Sequence, residues 1–136
     1  MTEVFAQAGA IPYRIMDDRL EVLLISTSSG KHLTIPKGLI DPGFSATETI
    51  VNEAYEEAGI EGDLVMPPMG RYRFKKWGGI CEVSVYAMAV TREINQWPES
   101  SMRRRLWIEY RQAARQVKHA DLGDLILTLP ERLSGS

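Results

Sequence analysis

Glu53, Glu56 and Glu57 are three carboxylates spaced to act together. On a helix advancing about 100° per residue they fall at roughly 0°, −60° and +40°, a sector about 100° wide. Ile50, Val51, Ala54 and Ala58 fall between roughly +60° and +160°, an apolar stripe suited to a core. Like charges four residues apart weaken a helix by about 0.2–0.5 kcal/mol, so Glu57 facing Glu53 is a local cost. A divalent cation removes that cost, and hard ions such as Mg²⁺ or Mn²⁺ take carboxylate oxygens. For an arbitrary E-x-x-E-E the commoner reading is a solvated acidic face. On spacing alone, Glu57→Gln is expected to relieve repulsion and leave stability unchanged or slightly higher.

The flanking residues decide between these readings. Ser45-Ala46-Thr47-Glu48 is a capping box, in which the Ser hydroxyl and the Glu carboxylate satisfy free amides at a helix start. Gly59 is a natural stop, able to take the left-handed conformation. A helix over about Ala46 to Ala58 is therefore predicted.

Gly38 to Ile60 resembles the Nudix box, G-x5-E-x7-R-E-U-x-E-E-x-G-U with U a bulky aliphatic. Gly38, Glu53, Glu56, Glu57, Gly59 and Ile60 match in register, with Ala54 a small occupant of the first U. Two positions depart: Phe44 stands where the first Glu is expected, and Asn52 replaces the Arg. Phe44 precedes the cap Ser45 and is placed to act as a hydrophobic staple. Glu48 lies about 140° from Glu53 and 180° from Glu57, so it serves the cap. Asn52 lies about 40° from Glu56 and can donate hydrogen bonds to a carboxylate.

The resemblance implies an α/β fold, the Nudix α/β/α sandwich: a mixed sheet with the box helix packed on it. It implies a Mg²⁺- or Mn²⁺-dependent pyrophosphohydrolase that cleaves a phosphoanhydride in a nucleoside-diphosphate-linked or polyphosphorylated substrate. By the same resemblance Glu56 and Glu57 are the principal metal ligands, joined by the Gly38 carbonyl. Glu53 is a ligand or the general base. The departures at positions 44 and 52 support an alternative, a weak or inactive Nudix-fold module that binds a nucleotide or phosphate ligand. The Pro36-Lys37-Gly38 approach, Trp97-Pro98-Glu99-Ser100 and Arg104-x-Leu106-Trp107 resemble the subgroup acting on diphosphoinositol and dinucleoside polyphosphates. That likeness favours a highly phosphorylated substrate. Glu99 is then a candidate auxiliary ligand, beside the plainer reading of an exposed loop residue. A homodimer is the assembly the family implies.

The chain has 136 residues, 44% hydrophobic and 25% charged, which suits one globular domain over residues 1–136. A net charge of −2 offers no general pull toward nucleic acid or a membrane surface. No segment has the length and apolarity of a signal peptide or a bilayer span. Cys81 is the single cysteine and sits in an apolar run, so it reads as a structural thiol, and a reducing, cytoplasmic setting is expected.

The elements that must hold these residues read as mixed α and β. Strands are predicted over Val4–Tyr13, with Pro12 signalling an edge or bulge, and over Leu20–Ser26 and Leu33–Pro36. Leu64–Met66, Tyr72–Trp77 and Ile80–Thr91 follow, the last two joined around Gly78-Gly79. Trp107-Ile108 is a short strand, Tyr110–Val117 a helix, and Leu122–Leu133 a helix bent or ended near Pro130.

Cations are needed opposite a carboxylate site, because a polyphosphate must be neutralised on both sides. The candidate substrate contacts are Lys31, Lys37, Arg71, Arg73, Lys75 and Arg104. At period two, Arg71, Arg73 and Lys75 share one strand face. One Arg of the 103–105 triplet is placed to stack on Trp97 or Trp107. His32 and His119 have no partner at metal-ligand spacing, and His119 reads as a helix-end residue without function.

Overall fold

The computed structural model describes residues 1–134. Seven strands form one mixed sheet: β1 (Val4–Met16), β2 (Arg19–Ser26), β3 (Leu33–Thr34), β4 (Lys37–Leu39), β5 (Ile60–Lys76), β6 (Gly79–Glu93) and β7 (Arg105–Glu109). Their order is β3-β2-β1-β6-β5, with β4 also pairing β1 and β7 pairing β2. β1 runs parallel to β6 and every other pairing is antiparallel. The helices are α1 (Ala46–Glu53), continued by a π-helical turn at Ala54–Ala58, then α2 (Tyr110–Gln116), α3 (Ala120–Leu127) and α4 (Leu129–Ser134).

Alternation along the strands splits the core into two layers, since successive side chains point to opposite faces. Val22, Leu24, Ile11, Val83 and Val85 face Ala113, Leu122, Ile126 and Leu129 of the C-terminal helices. Leu23, Ile25, Ala8, Ala10 and Met88 face Ile50, Ala54 and Ala58 of the box helix. This is the α/β/α sandwich with the box helix on the sheet.

Several sequence expectations are corrected. β1 is interior, not an edge: its free side pairs with β4 at residues 7–9 and with β2 from Tyr13 on. Pro12, which has no N–H to donate, falls where that side changes partner, just past the Ala10 N–H bond to Pro36 O. Residues 60–76 form one bulged strand, with register shifts at Glu61/Gly62 and Val65/Gly70. The break expected near Pro130 is present, at Thr128 between α3 and α4, with Pro130 in the first turn of α4, where its missing N–H costs nothing. On α1, Val51 is exposed and only Ile50, Ala54 and Ala58 of the expected stripe are buried. Phe44 is also half exposed and borders an outer groove with Thr47 and Val51, so it does not staple the cap to the core.

Candidate active site

The capping box forms as the sequence predicts: Glu48 N–H donates to Ser45 Oγ at 3.1 Å and Ser45 N–H to Glu48 Oε1 at 2.9 Å. Gly59 closes the helix in the left-handed conformation, φ 64°. Its N–H reaches both Tyr55 O and Ala54 O, five residues back, which marks the π turn. A wider turn advances each residue by less than 100°. Glu57 therefore stays beside Glu53, while Glu56 falls back toward solvent.

The result is a cleft of about 560 Å³. Glu53 and Glu57 line one side with Gly38 between β4 and the helix. Phe74, Lys75, Lys76 and Trp77 at the β5–β6 turn line the other, with Lys118 and His119 above them. Glu56 is not among the lining residues.

Burial pushes the Glu53 carboxyl up from an ordinary 4.5 to about 7, and the charges of Glu57, Glu56 and Glu99 push the same way. Burial also raises Glu57, against the pull of the Lys37 N–H, Arg103 and the Lys37 ammonium. Lys37 itself is lowered, first by burial, with Glu57 opposing. Arg103 is the hub of this side. Its Nε donates to Glu99 Oε1 at 2.6 Å, Nη1 to Ser26 O at 2.9 Å and Nη2 to Glu57 Oε2 at 3.3 Å. Lys37 N–H donates to the other Glu57 oxygen at 3.0 Å.

The donor set fits a hard divalent cation in chemistry, though no three acidic, His or Cys groups among the described residues are gathered into a ready cage. The charges that chiefly act on Glu53, those of Glu57, Glu56 and Glu99, are all negative, which suits a cation beside this carboxylate. A folded-state pKa raised to about 7 means that stability present below about pH 4.5 is lost as pH rises through 7. Glu53 is half-buried, so solvent screening reduces the effect to about 1 kcal/mol. The metal-free protein is accordingly expected to lose melting temperature between pH 5 and 8, and Glu53→Gln to flatten that loss. Parallel thermal melts of both proteins across that range check this; equal slopes would remove Glu53 as the cause.

Gly38 packs directly on the Glu53 carboxylate, so that a Cβ there would collide with Glu53 Cγ and Cδ. Gly38→Ala is expected to displace Glu53 and lower kcat by about 10-fold, since a small misplacement of a reacting group has effects of this order or larger. Steady-state kinetics with circular dichroism to check folding tests it.

Of the cations expected at the substrate, Lys37 and Lys75 line the cleft and Lys76 joins them. Arg71 and Arg73 do not; both pair with Glu82 on an exposed strand face. Lys31 lies beyond Thr27–Ser29, which form the cleft edge. Arg104 is exposed, its backbone N–H held by Ser26 Oγ, and the neighbouring Arg103 occupies the site instead. Arg105 is the Arg that stacks, 4.1 Å over Trp97, while Arg14 covers Trp107 at 4.2 Å. Glu99 is part-buried and ion-paired, not a free loop residue. Asn52 sits on the outer helix face beside Val51 and Tyr55, so its substitution for Arg does not touch the cleft. His119 is placed in the cleft wall, stacked on Phe74 at 4.6 Å. Burial, then the Lys118 charge, holds its pKa low.

Sequence reasoning passed over Arg103, which Glu99-x-x-x-Arg103 spacing marks as an i,i+4 ion pair.

Known proteins resemble this chain along most of its length. The model of the NUDIX domain matches residues 6–128. Nudix hydrolase 16, mitochondrial, of Arabidopsis thaliana is 32% identical over 138 residues, covering 88% of this chain and 76% of the relative. Nudix hydrolase 17, mitochondrial, of the same plant is 33% identical, covering 93% and 74%. Among solved structures, a C. elegans Ap4A hydrolase superposes with a TM-score of 0.80 at 23% identity, over 97% of this chain and all of that one. The fold, the register of Gly38 through Ile60 and these relatives together place the chain in the Nudix family of hydrolases.

Proposed function

We propose that this hydrolase cleaves a phosphoanhydride in a polyphosphorylated substrate, a dinucleoside polyphosphate or a diphosphoinositol polyphosphate, with Mg²⁺ or Mn²⁺ as cofactor. One observation carries the reading: Glu53, crowded by the charges of Glu57, Glu56 and Glu99, lines a single cleft together with Lys37, Lys75, Lys76 and Lys118. A rat bis(5'-nucleosyl)-tetraphosphatase, 43% identical over 54 residues (39% of this chain), supports the dinucleoside class.

Glu53 and Glu57 would hold the cation from the cleft side, with Glu56 from the margin and the Gly38 carbonyl beside them. Bound there, the ion neutralises phosphate charge and polarises water. Lys37, Lys75, Lys76 and Lys118 orient the phosphate chain and offset charge on its oxygens. Glu53 is either one of these ligands or, left uncoordinated with its carboxyl raised to about 7, the group that would take a proton from the attacking water. Arg103 holds Glu57 in place from behind.

Phe44 and Asn52, the two departures behind the binding-module alternative, are not among the cleft-lining residues. Phosphate release from a panel of dinucleoside polyphosphates, diphosphoinositol polyphosphates and nucleoside triphosphates tests the proposal. Turnover is expected with millimolar Mg²⁺ and is abolished by excess chelator. Full turnover in chelator would overturn the metal role, and no turnover of any anhydride would leave a binding module.

A further inference from the structure

The last turn of the box helix is held by groups outside the helix. A helix leaves its final carbonyls without intrahelical partners. Here each carbonyl from Glu56 to Gly59 accepts a hydrogen bond from residues 94–105, which join β6 to β7. Glu99 N–H donates to Glu56 O at 3.1 Å, and the Trp97 indole N–H to Glu57 O at 3.0 Å. Arg105 Nη1 donates to Ala58 O at 2.9 Å and to Gly59 O at 3.2 Å. Ile94 N–H also reaches Gly59 O, at 2.8 Å.

The two side chains in this set support one another. The Arg105 guanidinium lies 4.1 Å over the Trp97 ring, and its charge suits the negative end of a helix. Both meet the helix at Gly59, where a Cβ would lie 2.8 Å from Trp97 Cγ and 2.8 Å from Arg105 Nη1. Neither Trp97 nor Arg105 lines the cleft, yet their bonds bear on its carboxylates. A π turn is rare, and the box helix gives way to one at Ala54–Ala58, directly under these donors. Releasing the carbonyls would let this stretch return to the 100° step of an α-helix. Glu56 and Glu57 would then rotate about the axis relative to Glu53.

We propose that Trp97 and Arg105 are positioning residues for the carboxylate site. By holding the carbonyls of Glu57, Ala58 and Gly59 they keep the helix end in its π turn, and with it the placement of Glu57 beside Glu53 on which cation binding depends. The inference rests on the metal-dependent reading above. Both residues act through the helix backbone and take no part in the proton or phosphate steps.

Trp97→Phe removes the indole donor and keeps a ring, and Arg105→Met removes the guanidinium and keeps an apolar stem. Calorimetry with Mn²⁺ alone, on the substrate-free protein, reads the site directly. Affinity is expected to fall about 3- to 5-fold in Trp97→Phe, a loss bounded by the worth of one hydrogen bond. In Arg105→Met, which loses two bonds and the stack, about 10-fold or more is expected. KM at saturating metal should stay within about 3-fold in both. Ile126→Val, in the core layer on the other face of the sheet, is the control: a lower melting temperature with unchanged Mn²⁺ affinity. If the Trp97 and Arg105 variants behave as Ile126→Val does, the pair only stabilises the fold and the proposal is overturned. Should Arg105→Met not fold, Trp97→Phe alone carries the comparison. If the wild-type protein binds no Mn²⁺, the metal-dependent reading falls separately. Crystal structures of the wild type and Trp97→Phe then decide: loss of the Gly59 N–H bond to Ala54 O, with Glu57 displaced from Glu53, sustains the positioning role, and an unchanged turn overturns it.

Discussion

Glu57→Gln is expected to lower kcat by about 10²-fold or more and, against the expectation from spacing, to lower stability as well. The rate loss follows from removing a charge that faces the reacting phosphates in a partly dry site. The stability loss follows from the tertiary contacts. Glu57 accepts from the Lys37 N–H with one oxygen and holds Arg103 with the other. Both partners of the ion pair are largely buried, at 12% and 13% exposure. A glutamine keeps an acceptor for Lys37 but turns an amide donor toward a guanidinium. Breaking a buried pair costs about 3–5 kcal/mol when one charge is stranded. Arg103 retains Glu99 and Ser26 O, so about 1–2 kcal/mol is expected here. Relief of repulsion belongs to Glu53 instead, which the charges of Glu57, Glu56 and Glu99 disfavour. Chemical denaturation of the two Gln variants at pH 8 should therefore move in opposite directions. If both became more stable, the Arg103–Glu57 contact would have no energetic content.

Arg103→Met is the second large effect. The substitution removes bonds to Glu99, Ser26 and Glu57 at once and strands two carboxylates in the site. A stability loss of about 3 kcal/mol is expected. Arg103 works through Glu57, so kcat should fall about 10- to 100-fold with little change in KM. The Arg103 charge also pulls the Glu57 pKa down. Without it that carboxyl titrates higher, and the acid limb of the rate profile is expected to move to higher pH. Arg103→Lys keeps the charge but not the planar fork that reaches three partners. It should restore the position of the acid limb and only part of the rate. A profile that does not move in the Met variant would reduce Arg103 to a fold-stabilising role.

Much of the local structure was written in short-range chemistry. The capping box, the Gly59 stop and the burial of Ile50, Ala54 and Ala58 depend on residues within one or two turns, and each forms as read. The hairpin at the β5–β6 turn is equally local, with Trp77 and Gly78 both at positive φ. Arg71 and Arg73 show where such reading fails. Period two places them on one face correctly, and Lys75 of that face does line the cleft, but Glu82, opposite Arg73 on β6, takes both arginines.

By itself the sequence determined the family, the helix that carries the carboxylates and the register of Gly38 through Ile60, because those features repeat at fixed spacing along one stretch of chain. Tertiary structure alone decided which charges meet. The π turn keeps Glu57 beside Glu53 and sets Glu56 outside the cleft, a consequence of how the helix end is anchored against the sheet. Arg103 reaches Glu57 across 46 residues and Ser26 across 77. His119 and Phe74 come together only when α3 packs over β5. A hydrogen bond or an ion pair falls off within a few ångströms, so residues distant in sequence acquire a role only once the fold has set their separation.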